Sequence, residues 1–136
     1  MTYPRLRARR VDFGVFAGDA TAIEPGQSRT YSFLATRTAK ADDFWFPSRF
    51  PSRECSINAD LWITSILVGK HSQLIGALAF PVAILDTTTA ILFDTIAPGV
   101  EFSFVVENRG KVPQAMAARL TIWEAECTRG ALFGGR

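Results

Sequence analysis

The stretch DLWITSILVGKHSQLIGALAF, residues 60–80, decides the fold of this chain. Residues 61–68 are rich in β-branched and large apolar side chains on both faces, which predicts a buried strand with Trp62 in the core. The polar sequence GKHS at residues 69–72 predicts a turn, and a second apolar run follows at residues 74–80. We therefore interpret residues 60–80 as a strand, a turn and a strand.

Strand-like segments bounded by turn signals continue on both sides of this stretch. Residues 100–107 alternate between apolar and polar side chains, as a half-buried strand does. Turn signals such as EPGQ at residues 24–27 and PG at residues 98–99 recur at intervals of roughly ten residues. The sequence therefore predicts an all-β fold, an antiparallel β-sandwich or jelly roll of about seven or eight strands with extended termini.

Two segments are harder to assign from the sequence. The polar KADD at residues 40–43 predicts a break between strands. Residues 114–125 are predicted as a last strand, with Leu120 and Ile122 on its core face and Arg119 on the opposite face. The sequence QAMAARL at the start of this segment also has helix-forming composition, so a helix stays open there as the alternative.

The length of 136 residues fits a single domain. We divide the chain into a basic N-terminal arm (1–10), a β-sandwich domain (11–125) and a C-terminal tail (126–136). The first residues, MTYPRLRARR, precede no apolar signal segment, and no apolar run is long enough to span a membrane. Cys55 and Cys127 match no metal spacing, and whether they pair stays open. We expect synthesis in the cytoplasm and no membrane partner.

Positive charge is concentrated at the start of the chain. The net charge is +2, yet the residues after position 10 hold eleven basic and thirteen acidic side chains, because Arg5, Arg7, Arg9 and Arg10 all lie in the arm. Arginine suits contacts with carboxylates and phosphates. Docking onto an acidic protein neighbour, neutralising nucleic-acid phosphates and simply solubilising the chain all account for these residues. We place the protein neighbour above nucleic acid, since the domain behind the arm is net acidic.

The sequence FWFPSRF at residues 44–50 concentrates four aromatic side chains in seven positions. Pro47 and Pro51 exclude the interior of a helix and favour a sheet edge or a bulge. The first interpretation is a core strand, and the second is an aromatic anchor in a protein interface. In the second interpretation the tail adds apolar anchors, and the contact residues are Phe44, Trp45, Phe46, Arg49, Phe50, Leu132 and Phe133.

No motif in the sequence indicates an enzyme. Nucleophile-elbow, phosphate-loop, dinucleotide-binding and zinc-protease patterns are all missing from it. His71 is the only histidine, and it lies in a predicted turn without companions at a metal-ligand spacing. We therefore expect no catalytic residues, no metal and no cofactor.

Turns and strand ends between residues 44 and 124 form a recognisable series. It contains DLWI at 60–63, VGKHSQ at 68–73, FPVA at 80–83, PG at 98–99, the run 102–108 and AMAARL at 115–120. The pattern is a strand, a Val-Gly-x-x-Ser-Gln turn, an apolar-Pro-Ala-type strand end, a Pro-Gly before an alternating strand that ends in Asn, and a strand of small residues. In this pattern, residues 44–124 resemble the small virion proteins of tailed bacteriophages.

The resemblance implies a structural role in a virion, most directly capsid decoration or cementing. It implies a homo-oligomer that binds a major capsid protein and copies of itself on the capsid surface, after synthesis in the host cytoplasm. Two alternatives remain open. One is a jelly-roll coat protein with an arm that faces nucleic acid, and the other is a glycan-binding sandwich with an aromatic platform at Trp45 or Trp123.

Overall fold

The computed structural model describes residues 6–47, 57–74, 78–85 and 93–125. Within these residues the chain forms ten strands, two short 3-10 turns (Val15–Ala17 and Val82–Ile84) and no α-helix, so the predicted all-β class is confirmed. The strands are β1 (Leu6–Gly14), β2 (Ala22–Ile23), β3 (Ser28–Leu34), β4 (Ala39–Trp45), β5 (Leu61–Val68), β6 (His71–Ser72), β7 (Phe80–Pro81), β8 (Glu101–Asn108), β9 (Gln114–Ala115) and β10 (Ala117–Ala125).

The long strands divide between two antiparallel sheets that pack face to face. The three-stranded sheet has the order β1-β10-β4, and the five-stranded sheet has the order β3-β8-β5-β6 with β7 paired to β5. β2 and β9 form a separate two-stranded ribbon. Phe13 and Phe44 of the first sheet each reach Phe104 of the second, with ring centroids 4.9 Å apart. The predicted β-sandwich is therefore the observed architecture.

The strand that the sequence marks as apolar on both faces, β5, contains a bulge. Its pairing with β8 shifts between Ile63 and Ser65, so Thr64 is an extra residue. The shift lets Ile63 before it and Ile66 after it both face the core. Trp62 lies on the opposite face and is only half-buried, so its predicted place in the core is wrong.

The predicted break at residues 40–43 is also wrong, because these residues belong to β4. Ala41 faces the core and Lys40 faces solvent, which is ordinary alternation. The register against β10 shifts between Leu120 and Ile122, so that β4 carries one extra residue in its Asp-Asp pair. A bulge places both carboxylates outside the core without ending the strand.

The last segment is strand, and the helical alternative is not adopted. β9 covers Gln114–Ala115 and β10 covers Ala117–Ala125. Leu120 and Ile122 are fully buried as predicted, and Arg119 lies on the opposite face. β10 is central in its sheet, so its backbone is hydrogen-bonded on both sides.

Phenylalanine rings fill the middle of the sandwich. Phe44 is the hub, with ring centroids 4.9 Å from Phe46, 5.8 Å from Phe102 and 6.2 Å from Phe93. Most of these ring pairs meet edge to face, which suits the ring quadrupole and adds to simple burial. This cluster explains why Phe dominates the aromatic composition.

Two buried asparagines hold the irregular segments against the sheets. Asn108 donates from its side-chain amide to the carbonyls of Ile23 and Val112, both at 2.8 Å. Asn58 donates to the Ala117 carbonyl at 2.9 Å and accepts the Ala117 N–H at 3.0 Å. Both side chains therefore replace missing ladder hydrogen bonds inside the protein.

The turn that ends β1 requires glycine. Gly14 has φ of 65°, and a Cβ placed there would lie 2.0 Å from the Met116 carbonyl oxygen. The next residue, Val15, donates its N–H to the same carbonyl at 2.8 Å. Only glycine allows the backbone to approach β10 this closely while it turns.

The first strand begins earlier than the predicted domain. β1 starts at Leu6 and so takes in residues that the sequence assigns to a separate arm. No helix in the described part of the chain is long and apolar enough to cross a membrane. Several residues singled out from the sequence lie outside the described residues: Arg5, Arg49, Phe50, Cys55, Cys127, Leu132 and Phe133.

Candidate functional site

The aromatic segment that begins at Phe44 divides between core and surface. Phe44 and Phe46 are 1% and 2% exposed, so they are core residues and not contact residues for a partner. Trp45 lies between them, points to the outer face of the three-stranded sheet and is half-buried. Simple alternation in an edge strand produces this division, and it leaves Trp45 as the only described aromatic anchor of the predicted segment.

Trp45 belongs to a row of side chains across the three strands. Asp12 of β1 pairs directly with Arg119 of β10, which pairs directly with Trp45 of β4. Phe16, from the turn after β1, stacks on Trp45 with a centroid distance of 5.9 Å and an interplanar angle of 26°. We call Asp12, Phe16, Trp45 and Arg119 the Arg119 cluster.

Arg119 is held from several directions within this cluster. Its Nε donates to Asp12 Oδ1 at 2.9 Å, and its guanidinium carbon lies 4.5 Å from the Phe16 ring centroid and 5.9 Å from that of Trp45. The Arg119 side chain is 27% exposed, so the ion pair is partly shielded from water. A guanidinium fixed in this way is a rigid feature of the surface.

A second aromatic side chain lies on the same outer face, four residues further along β10. Trp123 is 40% exposed, and its indole N–H donates to Asp42 Oδ2 at 3.1 Å. Its direct neighbours across the sheet are Ala8 of β1 and Lys40 of β4. Lys40 donates through Nζ to the Phe93 carbonyl, which draws the lysine toward the sheet edge.

The basic residues at the start of the chain are strand residues. Arg9 lies 3.6 Å from Glu124 (Nη1 to Oε1) and its guanidinium carbon lies 5.4 Å from the Phe33 ring centroid. It therefore bridges the two sheets where β1 and β3 lie opposite each other, and it covers the carboxylate of a buried glutamate. Arg7 and Arg10 are exposed, and neither forms an ion pair with another described residue.

The outer face of the five-stranded sheet carries its own arginine on an aromatic ring. The guanidinium carbon of Arg109 lies 4.5 Å from the Trp62 ring centroid, and its Nε donates to Glu107 Oε1 at 2.6 Å. The Arg109 side chain is 43% exposed. This set is local, since the two charged residues are two positions apart in the chain.

Two polar groups near the sheets have shifted pKa values. Burial raises the pKa of Tyr31, although nearby Arg29 opposes the shift by favouring the phenolate. Hydrogen bonds from Thr21 lower the pKa of Asp19 at the surface. Both shifts follow from structural contacts, and Arg29 acts on both groups.

The one histidine is exposed in the short β6 strand. The described residues contain no group of three or more His, Cys, Asp or Glu side chains arranged to hold a metal ion. Near the histidine, Gln73 and Asp94 form two hydrogen bonds with each other. Asp94 donates its backbone N–H to Gln73 Oε1 at 2.8 Å, and Gln73 Nε2 donates to Asp94 Oδ2 at 3.1 Å.

The sequence predicts only part of this outer face. It offers Trp45 and Trp123 as candidates, whereas Asp12, Phe16 and Arg119 are not among its candidates. The missing information was strand pairing, because Asp12 and Arg119 meet only through the β1–β10 register. The signal that was present is alternation, which already sets Arg119 and Trp123 on the face opposite the core. No protein-family model, no curated protein and no solved structure matches this chain.

Proposed function

We propose that this chain is a non-enzymatic structural protein of a virion that decorates or cements a bacteriophage capsid. The observation that supports a docking role is the outer face of the three-stranded sheet, which carries both the Arg119 cluster and the exposed Trp123. The bacteriophage part of the proposal comes from the turn and strand-end motifs of the sequence. The partners would be a major capsid protein and further copies of this chain.

The composition of this face is that of an interface centre. Trp, Tyr and Arg carry most of the binding energy where protein surfaces meet. Arg119 is already oriented by Asp12 and the two rings of its cluster, so binding would cost little side-chain entropy there. The sheet beneath it is anchored to the phenylalanine core and gives the face rigidity.

The direct test is binding of the purified chain to empty capsid shells assembled from the major capsid protein of the same genome. Co-sedimentation and mass-resolved light scattering would measure occupancy. We expect saturable, stoichiometric binding that Trp123→Ala weakens by about tenfold or more. Leu34→Ala is the matched control, since Leu34 is 57% exposed on the outer face of the other sheet.

Three results would count against this proposal. The first is that the shells stay undecorated. The second is that both variants lose binding equally. The third is that the chain closes into shells by itself, as a coat protein does. Nucleic acid that co-purifies with the isolated chain would likewise favour the coat-protein alternative.

Glycan binding is a second candidate, because the exposed Trp123 lies beside the carboxylate of Asp42. An aromatic platform next to a hydrogen-bond acceptor suits a sugar ring, whose C–H face stacks and whose hydroxyls donate. Titration with host surface glycans, followed by tryptophan fluorescence, tests this candidate. Saturable quenching that Trp123→Ala abolishes would favour it, and unchanged fluorescence across the panel would reject it.

A further inference from the structure

In the described part of the chain, the outer edge of β1 is unpaired over most of its length. β1 is an edge strand whose nine residues pair with β10 without a bulge. At its far end the Gly14 carbonyl accepts the Asp19 N–H at 2.9 Å. Between Leu6 and Asp12, no described residue makes a backbone hydrogen bond on the side of β1 that faces away from β10. Such an edge is a template for a further strand.

The side chains of this edge differ between the two sides of the sheet. Arg7 and Arg9 share the side that carries the core residues further along β1, whereas Leu6, Ala8 and Arg10 point to the outer face. All five are exposed. The edge is therefore basic on one side, and apolar with a single arginine on the other.

The apolar side of the edge continues into the neighbouring strand. Ala8 pairs directly with Trp123, which is 40% exposed, and Leu6 beside it is 63% exposed. Charged side chains alone are a common protection of an edge against unwanted pairing. Protection needs no exposed leucine and tryptophan next to the charges, so this combination indicates recognition.

We infer that the β1 edge binds an extended segment of a partner protein as an added strand, with acidic residues at alternate positions and apolar residues between them. In such a strand every second side chain faces the same way. The acidic set would meet Arg7 and Arg9, and the apolar set would lie beside Leu6 and Ala8. The side chain of Arg9 is 50% exposed despite its contact with Glu124, so it remains accessible to a second carboxylate.

Neither a second copy of β1 nor the chain's own tail fits this edge. Antiparallel self-pairing would set the arginines of two copies against each other, which is destabilising. Residues 126–136 contain Arg129 and Arg136 against one acid, Glu126, and so offer no alternating acids. Charge complementarity therefore selects an acidic partner segment.

A nucleic-acid strand also fits poorly. Arg7 and Arg9 project from one side of the sheet and Arg10 from the other. A phosphate backbone laid along one side would reach only the arginines of that side. An added strand also hydrogen-bonds to the unpaired backbone of β1 and places apolar side chains beside Leu6 and Ala8, which a phosphate backbone cannot do.

The inference deepens the proposed function by naming the chemistry of the partner segment, and it rests on that function only for the identity of the partner. Its test is fluorescence anisotropy with a labelled peptide of about eight residues that alternates Glu with Val or Thr. The control peptides have the same composition with all acids in one block, or the alternating sequence with every second amide N-methylated. Hydrogen exchange of the amides in β1 reports where the peptide binds.

We expect saturable binding of the alternating peptide, new protection of amides between Leu6 and Arg10, and at least about tenfold weaker binding of both control peptides. Arg7→Glu should weaken binding by a similar factor, because Arg7 faces the acidic set of the peptide. Lys70→Glu is the matched control, because this lysine is exposed in a turn beyond the three-stranded sheet and the charge change is the same. That variant should bind within about twofold of the native chain.

Equal binding of the N-methylated peptide would overturn the inference, because it would show attraction of charge without strand pairing. Tighter binding of labelled oligothymidine that is lost in the Arg7→Glu variant would also overturn the inference. Capsid binding without peptide binding would reject the added strand and leave the proposed function standing. Peptide binding without capsid binding would support the added strand and reject the proposed function.

Discussion

The two outer faces of the sandwich carry the same side-chain arrangement, built in different ways. On the three-stranded sheet, Arg119 donates to a carboxylate 107 residues away in the chain. On the five-stranded sheet, Arg109 donates to a carboxylate two residues away. Each guanidinium lies 4.5 Å from an aromatic ring centroid, on Phe16 in the first case and on Trp62 in the second.

The two arginines differ in the number of structural elements that hold each of them in place. The Arg119 cluster draws on β1, the following turn, β4 and β10, so it exists only when all four are in register. The Arg109 set needs β8 and the neighbouring strand β5 alone. The first set therefore depends on three strands and a turn, and the second on the pairing of two strands. This contrast leads to predictions that can be ordered by size.

The largest effect is expected beneath both faces. Phe44→Ala should lower the free energy of unfolding by about 3–5 kcal/mol, because it removes a ring packed against four other phenylalanines. Urea denaturation measures this loss, and Phe44→Leu should cost clearly less. A loss below about 1 kcal/mol would mean that the two sheets do not depend on this cluster.

The second-largest effect is expected from removing the two arginines, whose contributions to stability should differ. Arg119→Ala should cost about 1–2 kcal/mol of stability, because it removes a shielded ion pair and contacts with two rings. Arg109→Ala should cost less than about 1 kcal/mol, since its pair is local and more exposed. Arg119→Lys is the control that keeps the charge and loses the flat guanidinium. Equal costs at both positions in urea denaturation would remove the contrast between the faces.

Double-mutant cycles should sharpen the comparison further. The coupling energy between Asp12 and Arg119 is expected at about 0.5–1 kcal/mol, and that between Glu107 and Arg109 at about 0.2–0.5 kcal/mol. Salt at about 0.5 M should reduce the coupling energy of the more exposed pair, Glu107 and Arg109, by the larger fraction. The reverse order of coupling energies, or equal salt sensitivity, would contradict the role of burial.

The smallest effect concerns alkaline pH and the five-stranded sheet. The pKa of Tyr31 is raised by burial, so the folded state holds its proton more tightly than the unfolded state does. That contribution to stability is complete below the ordinary tyrosine pKa of about 10 and is lost as the pH rises through the folded value. Denaturation between about pH 8 and 11 should show a fall in stability that Tyr31→Phe makes shallower. An identical fall in the variant would assign it to other groups.

The strands could be predicted from the sequence where apolar and polar residues alternate without interruption. Residues 101–108 alternate between buried and more exposed side chains without interruption, as the sequence predicts for a half-buried strand. In β5 and β4 a single extra residue shifts the pairing with the neighbouring strand, so Ile63 and Ile66 share a face and both aspartates of β4 lie outside the core. The sequence suggests a core position for Trp62 because β5 is apolar on both faces, and it suggests a break at residues 40–43 because they are polar. A bulge is invisible to a period-two pattern, because it depends on the partner strand.

The candidate site could be predicted from the sequence only in part. Alternation identifies which residues of one strand point outward, so Trp45 and Trp123 could be predicted as surface residues. It says nothing about which outward residues of different strands become neighbours. The pairing of Asp12 with Arg119 joins residues 107 positions apart. The sequence predicts an arm at the basic start because no local pattern shows that these residues pair with β10.

The sequence by itself determined the all-β class, the two-faced character of the long strands and the uneven placement of positive charge, because each of these depends on neighbours within a few residues. Only the tertiary structure decided the strand order, the two bulges, the Arg119 cluster and the open edge of β1. These features depend on contacts between distant segments, whose register is chosen by the fit of the buried faces and the turns that join them.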